Sequence, residues 1–203
     1  MALADLSFKL YTDSGLTTLF SGLYQLTHQS NLSDNPQDFQ LWFGSNAATT
    51  LETTTNPGVD NITLTPVEIL PAWTASTAYT VGETVEPTVD NGFRYACSTA
   101  GTSDTTEPAS WPTSGIGSTV VDGTVIWTLV AATHEPTEIK LSATAAGLDS
   151  ATAGAALSLG TSISAGVANA KEVNIRITNA VTTVSNNTAY PELSIDINDV
   201  TES

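Results

Sequence analysis

Trp73, Tyr79, Tyr95, Trp111 and Trp127 crowd into the middle of a chain that has only four tryptophans and five tyrosines. Aromatic rings laid flat toward solvent, with polar groups beside them, can hold the apolar face of a sugar, so these five are the candidate carbohydrate-binding residues. They suit a second role equally well. A small folded unit has little interior, and large aromatic side chains supply the most buried area per residue, so the same five could build a miniature core.

Other chemistry is thinly represented. The two histidines, His28 and His134, are far apart in sequence and sit in polar, loop-like surroundings. A nucleophile elbow of the Gly-x-Ser-x-Gly type does not occur. The single cysteine, Cys97, falls at an inward-facing position of a strand pattern, where cysteine behaves as a small apolar residue. One cysteine and two histidines do not make a structural zinc set. The calcium-loop pattern is also missing, and Asp196, Asn198 and Asp199 read as the wet face of a strand. Without a phosphate-binding loop or a dinucleotide fingerprint, no cofactor, no metal and no enzymatic activity are expected.

The elements that must position these residues are strands. Thr makes up about one residue in six, and Gly, Pro, Asn and Ser are plentiful while Lys, Arg and Glu are few. That balance favours pleated surfaces joined by tight turns. Apolar residues alternate in Leu6-Phe8-Leu10, Phe39-Leu41-Phe43, Ile62-Leu64, Val173-Ile175-Ile177 and Leu193-Ile195-Ile197, each pattern predicting a strand with one buried face. In the middle, Phe93-Tyr95-Cys97 and Val125-Trp127-Leu129 do the same, with Arg94 and Ala96 on the opposite side of the first. Glycines break any helix between Leu148 and Gly166, leaving a strand over Ala156 to Ile163 and room for one helical turn near Leu148.

Pro66-Pro71 and Pro136 bracket the aromatic block, which differs in composition from its flanks. The predicted architecture is all-β: an Ig-like or related antiparallel β-sandwich formed by residues 1-71 and 132-203, interrupted by a small aromatic-rich β module at 72-131. One continuous sandwich with a long decorated loop is the alternative.

Charge narrows the partners. Five Lys or Arg stand against 21 Asp or Glu, a formal net charge of -16. Nucleic acids and anionic membranes are both bound through Lys and Arg, so neither is an expected partner. Solubility and resistance to aggregation account for such acidity without any partner; docking on a basic protein surface, or service in a crowded assembly, is the alternative. The start, Met1-Ala2-Leu3-Ala4-Asp5, lacks the basic and long apolar regions of a secretory signal, so synthesis in a cytoplasm is expected.

The middle block also carries an ordered series. Trp73, Tyr79, Gly82 and Val85 are followed by Asn91-Gly92-Phe93-Arg94-Tyr95, Glu107-Pro108, Trp111-Pro112 and Asp122-Gly123-Thr124-Val125-Ile126-Trp127. This series resembles small carbohydrate-binding modules of the chitin-binding type, and more closely the variants found in structural proteins of tailed phages. It departs from the chitin-binding pattern at Glu83, where a Gly-Asp pair is usual, and at Glu86-Pro87, which replaces an aromatic. The flanks, through Asn56-Pro57-Gly58-Val59-Asp60-Asn61-Ile62-Thr63-Leu64 and Ile195-Asp196-Ile197-Asn198-Asp199-Val200, resemble a phage virion protein. The resemblance implies a virion structural protein of the capsid-decoration or tail-accessory type. Its partners would be the major capsid protein or other virion proteins, with homo-oligomers in the particle and a possible glycan ligand. The alternative it implies is a tail-associated or surface-displayed carbohydrate-binding adhesin.

Overall fold

The computed structural model describes residues 6–22, 35–180 and 192–203. In chain order its strands are β1 (Lys9–Tyr11), β2 (Gln37–Gly44), β3 (Thr50–Thr53) and β4 (Ile62–Glu68), then β5 (Ala78–Tyr79), β6 (Thr84–Val85), β7 (Phe93–Thr99), β8 (Gly101–Thr102), β9 (Thr119–Asp122) and β10 (Val125–Ala132). The rest are β11 (Ile139–Ser142), β12 (Leu157–Gly160), β13 (Ser162–Ser164), β14 (Lys171–Ile177), β15 (Leu193–Ile197) and β16 (Val200–Glu202). The chain forms two compact units. One comprises Met1–Val67, Glu135–Thr182 and Leu193–Ser203, and the other Glu68–His134 and Thr183–Glu192.

The first unit is an antiparallel β-sandwich. Its larger sheet runs β1-β2-β14-β11, and two three-stranded sheets run β12-β4-β15 and β13-β3-β16. The register between β2 and β14 sets Leu41 opposite Val173 and Phe39 opposite Ile175, so the alternating apolar positions of both strands share a face. One core then takes Leu10, Leu41, Phe43, Leu141, Val173 and Ile175 from the larger sheet and Leu51, Ile62, Leu64, Ile163 and Val200 from the smaller ones. Phe8 and Phe43 pack with ring centroids 5.8 Å apart.

Two expectations are refined here. The strand over 156–163 is two strands: Gly160, at φ +100°, turns the chain so that β12 joins β4 while β13 joins β3. Asn174, on the polar face of the β14 pattern, is buried. Its amide donates to Glu172 Oε1 at 2.8 Å and to the Ser142 carbonyl at 3.4 Å, so burial leaves it hydrogen-bonded. The turn near Leu148 is a 3-10 segment, Ala145–Asp149, capped by the Thr144 side chain accepting from the Gly147 N–H.

The second unit is built on the antiparallel sheet β6-β7-β10-β9, with the short pair β5-β8 beside it. β10 alternates strictly, with Val125, Trp127, Leu129 and Ala131 buried. Between β9 and β10 lies a two-residue turn whose first residue, Gly123, has φ +58°. Only glycine fits, because a Cβ there would lie 2.4 Å from the Thr102 carbonyl oxygen.

Candidate functional site

All five candidate aromatics belong to the second unit, and the structure brings them together. Tyr79 stands on β5, Tyr95 on β7 and Trp127 on β10, while Trp73 and Trp111 come from the flanking loops. Tyr79 meets Trp127 edge-on at 4.7 Å, Tyr95 lies 4.5 Å from Trp111, and Trp111 lies 6.1 Å from Trp127, centroid to centroid. These are ring–ring contacts of the kind that stabilise cores. Trp73, Tyr79, Tyr95 and Trp127 are all buried, Tyr95 and Trp127 completely, and only Trp111 keeps part of its ring at the surface. The cluster is thus a core rather than a platform laid open to solvent.

The polar ends of these rings are committed inside the unit. Asp122, itself only 3% exposed, accepts the Trp73 Nε1–H at 2.7 Å and the Trp127 Nε1–H at 2.9 Å on one carboxylate oxygen. Its other oxygen accepts the backbone N–H of Asp104 at 2.8 Å. Tyr95 donates its hydroxyl hydrogen to the Pro112 carbonyl and accepts from Asn91 Nδ2, both at 2.8 Å. Burial pushes the Tyr95 phenol above its ordinary pKa, with the Asn91 hydrogen bond opposing. The Tyr79 hydroxyl accepts the Thr74 N–H at 3.0 Å. Trp111 donates to Glu107 Oε1 at 3.1 Å, and Glu107 also accepts from the backbone N–H and the hydroxyl of Thr88.

Asp122 was not a candidate from sequence. In Asp122-Gly123-Thr124 it reads as the first residue of a turn, and nothing local distinguishes a turn carboxylate in water from one folded back under two indoles. Arg94 is the other departure. Alternation places it on a wet face, yet it is buried and its Nη1 lies 2.5 Å from Glu192 Oε1. Glu192 also accepts the His134 N–H at 2.9 Å through its other oxygen and the Ile69 N–H at 2.7 Å through its carbonyl. A buried arginine requires such a partner, and here the partner lies too far along the chain for any local pattern to announce it.

Cys97 is buried beside this cluster, and its Sγ contacts the Thr99 carbonyl at 3.2 Å. Burial first, and the charge of Glu83 second, push its thiol pKa up, away from the thiolate that a nucleophile requires. His28 lies outside the described residues.

The first unit commits its polar groups in the same manner. Glu202 Oε1 accepts from the Ser7 N–H at 2.6 Å, the Ser7 hydroxyl at 2.9 Å and the Phe8 N–H at 3.1 Å, tying β16 to the segment before β1. Asn198 accepts the Thr63 N–H at 2.9 Å through Oδ1 and donates to the Asn61 carbonyl at 3.0 Å. Asn198 lies just past β15 rather than on a strand face, and its amide ties the β15–β16 turn to the start of β4. Among the described residues no group of three or more His, Cys, Asp or Glu could hold a metal ion, and no helix is long and apolar enough to cross a membrane.

Compared with models of protein families, with curated proteins and with solved structures, the chain matches none.

Proposed function

We propose that the chain is a non-catalytic structural component of a bacteriophage particle, a capsid decoration or cement protein that works through protein–protein contacts. The observation that supports this best is where the reactive side chains are spent. Asp122 pins two indoles, Arg94 pairs with Glu192, and Glu202 ties β16 to the segment before β1. Each group is used to hold the fold together, which leaves recognition to loops and strand edges. The ordered series from Trp73 to Trp127, with its resemblance to modules of phage structural proteins, supplies the setting. The partners would be the major capsid protein or other virion proteins, and the location the virion.

Mass spectrometry of gradient-purified particles tests the reading directly. The chain should be present in many copies, and its absence from particles would end the proposal.

A carbohydrate-binding adhesin is the second reading, favoured by one feature. Trp111 keeps part of its ring at the surface, held by Glu107 beside Thr88. The full chain would be titrated against a glycan panel, with Trp111→Ala as the control. Saturable binding lost in Trp111→Ala would support an adhesin, and absence of binding to every glycan would remove it.

A further inference from the structure

The outer edge of β9 combines three features that seldom coincide on a strongly acidic chain. It is the terminal strand of its sheet, so among the described residues one side of its backbone has no neighbouring strand. Its exposed side chains are large and apolar or hydroxylic: Val121 is 69% exposed, Ile116 just before the strand is 73% exposed, and Thr119 is exposed. Between Glu107 and Asp122 no side chain is charged. Edge strands are normally protected by exposed charge, proline or a bulge within the strand; the one charged residue of β9, Asp122, is buried, and the strand has neither proline nor bulge.

The backbone geometry specifies what such an edge can accept. Asp122 and Val125 flank the two-residue turn and form the hydrogen-bonded pair next to it. Alternation then directs the N–H and C=O of Val121 and Thr119 away from β10, toward the open side. An added strand would bond to these two residues.

We infer that the occupant is β9 of a second copy of this chain, paired antiparallel across a two-fold axis at Val120. In this register Val121 of each copy exchanges both backbone hydrogen bonds with Thr119 of the other, and the two Val120 residues face one another. The pairing is self-complementary, as a two-fold contact must be. Charge selects the same occupant. Two chains of net charge -16 repel, so copies can meet only where carboxylates are lacking, and the Pro108–Val121 stretch provides such a margin. A basic partner would be drawn to the carboxylates instead. The edge is short, well below the roughly 800 Å² per partner of a stable interface, so the dimer is weak in dilute solution. It gains when copies are held side by side, because the second contact then becomes intramolecular.

Sedimentation equilibrium of the purified full chain over a wide concentration range tests this. A reversible monomer–dimer equilibrium is expected, tightening as salt is raised to about 0.5 M and repulsion is screened. Val121→Pro removes an outward N–H and no bond of the β9–β10 ladder, so it should weaken dimerisation at least about tenfold, two hydrogen bonds being lost per dimer. Circular dichroism would confirm that the variant is folded. As an independent check of register, Val120→Cys should form a disulfide-linked dimer under mild oxidation, while Thr119→Cys, which faces Val121 of the other copy, should not. A chain monomeric at all concentrations, a dimer unmoved by Val121→Pro, or equal cross-linking at 119 and 120 would each overturn the inference. None of these measurements involves particles, so their outcome and that of the particle proposal are independent.

Discussion

The two units solve the same problem with different materials. The sandwich fills its core with Leu, Ile, Val and Phe drawn from three sheets, and its alternating strands need little else. The smaller unit has strands as short as two residues, so it fills its core with Trp73, Tyr79, Tyr95 and Trp127 and orients the two indoles with a buried carboxylate. Dispersion and burial are non-directional, and many aliphatic packings are nearly equivalent. Hydrogen bonds to Asp122 are directional, and there the packing has fewer substitutes. The sandwich should therefore tolerate changes of shape, and the aromatic unit should be sensitive to changes of polarity.

The strongest way to break that contrast is Asp122→Ala. Two buried indole N–H groups, from Trp73 and Trp127, and the part-buried N–H of Asp104 would lose their acceptor at once. At about 1–3 kcal/mol for each orphaned donor, the loss approaches the whole stability expected of a unit this small. Thermal unfolding followed by tryptophan fluorescence should show the aromatic unit melting early, since three of the four tryptophans report on it. Cys97 provides a second readout, because its buried thiol, with its raised pKa, resists alkylation until the unit opens. Alkylation of Asp122→Ala as slow as in the parent chain would refute the pinning role of Asp122.

The next effect concerns backbone. Gly123→Ala must accept a left-handed conformation and also displace the Thr102 carbonyl oxygen, 2.4 Å from the new Cβ. Gly58→Ala in the sandwich adopts φ +73° but meets only Glu52 Oε1 at 3.5 Å, an ordinary contact. Left-handed strain alone costs about 1–2 kcal/mol. Gly123→Ala should cost clearly more than Gly58→Ala, and equal denaturant midpoint shifts would contradict the close packing at the hairpin.

What was legible in the sequence follows the same division. Alternation located β2, β4, β10 and β14 because each has one face in a core, and a period of two is a local property. Leu157–Gly160 and Ser162–Ser164 read as one strand because a glycine that redirects a chain between sheets looks like one that merely interrupts it. The aromatic positions were legible as a group, but not the direction in which their rings turn. Presenting a ring to a ligand and burying it in a core require the same residue type at the same alternating position. Asp122 and the Arg94–Glu192 pair were illegible because Trp73, Asp104 and Glu192, which help to compensate the burial, come from distant points along the chain.

A conservative pair of substitutions sharpens the comparison further. Leu64→Met keeps volume and apolarity in the sandwich and should cost less than about 1.5 kcal/mol. Trp127→Phe also keeps an aromatic ring in its core, but it deletes the N–H that Asp122 accepts and leaves a cavity where the indole was. It should cost about 3 kcal/mol or more. Denaturant melts of the two variants decide the matter, and near-equal losses would mean that volume, not polarity, governs both cores.

The smallest expected effect lies on the sandwich surface, where charge is paired in the open. Arg176 reaches Asp38 through Nε at 2.7 Å and Asp149 through Nη1 at 2.7 Å. Its hydrogen bond, more than its charge, holds the Asp38 carboxyl below the ordinary value. A carboxylate depressed in the folded state contributes stability that is fully present above its unfolded pKa, near 4, and is lost as the pH falls through the lower folded value. Asp38→Asn should therefore lower the melting temperature slightly at pH 6, and the gap from the parent chain should close toward pH 2. High salt should narrow the gap at pH 6 as well, because the pair is exposed to solvent and screened. A gap that persisted unchanged at pH 2 would assign the effect to packing of the Asp38 side chain rather than to its charge.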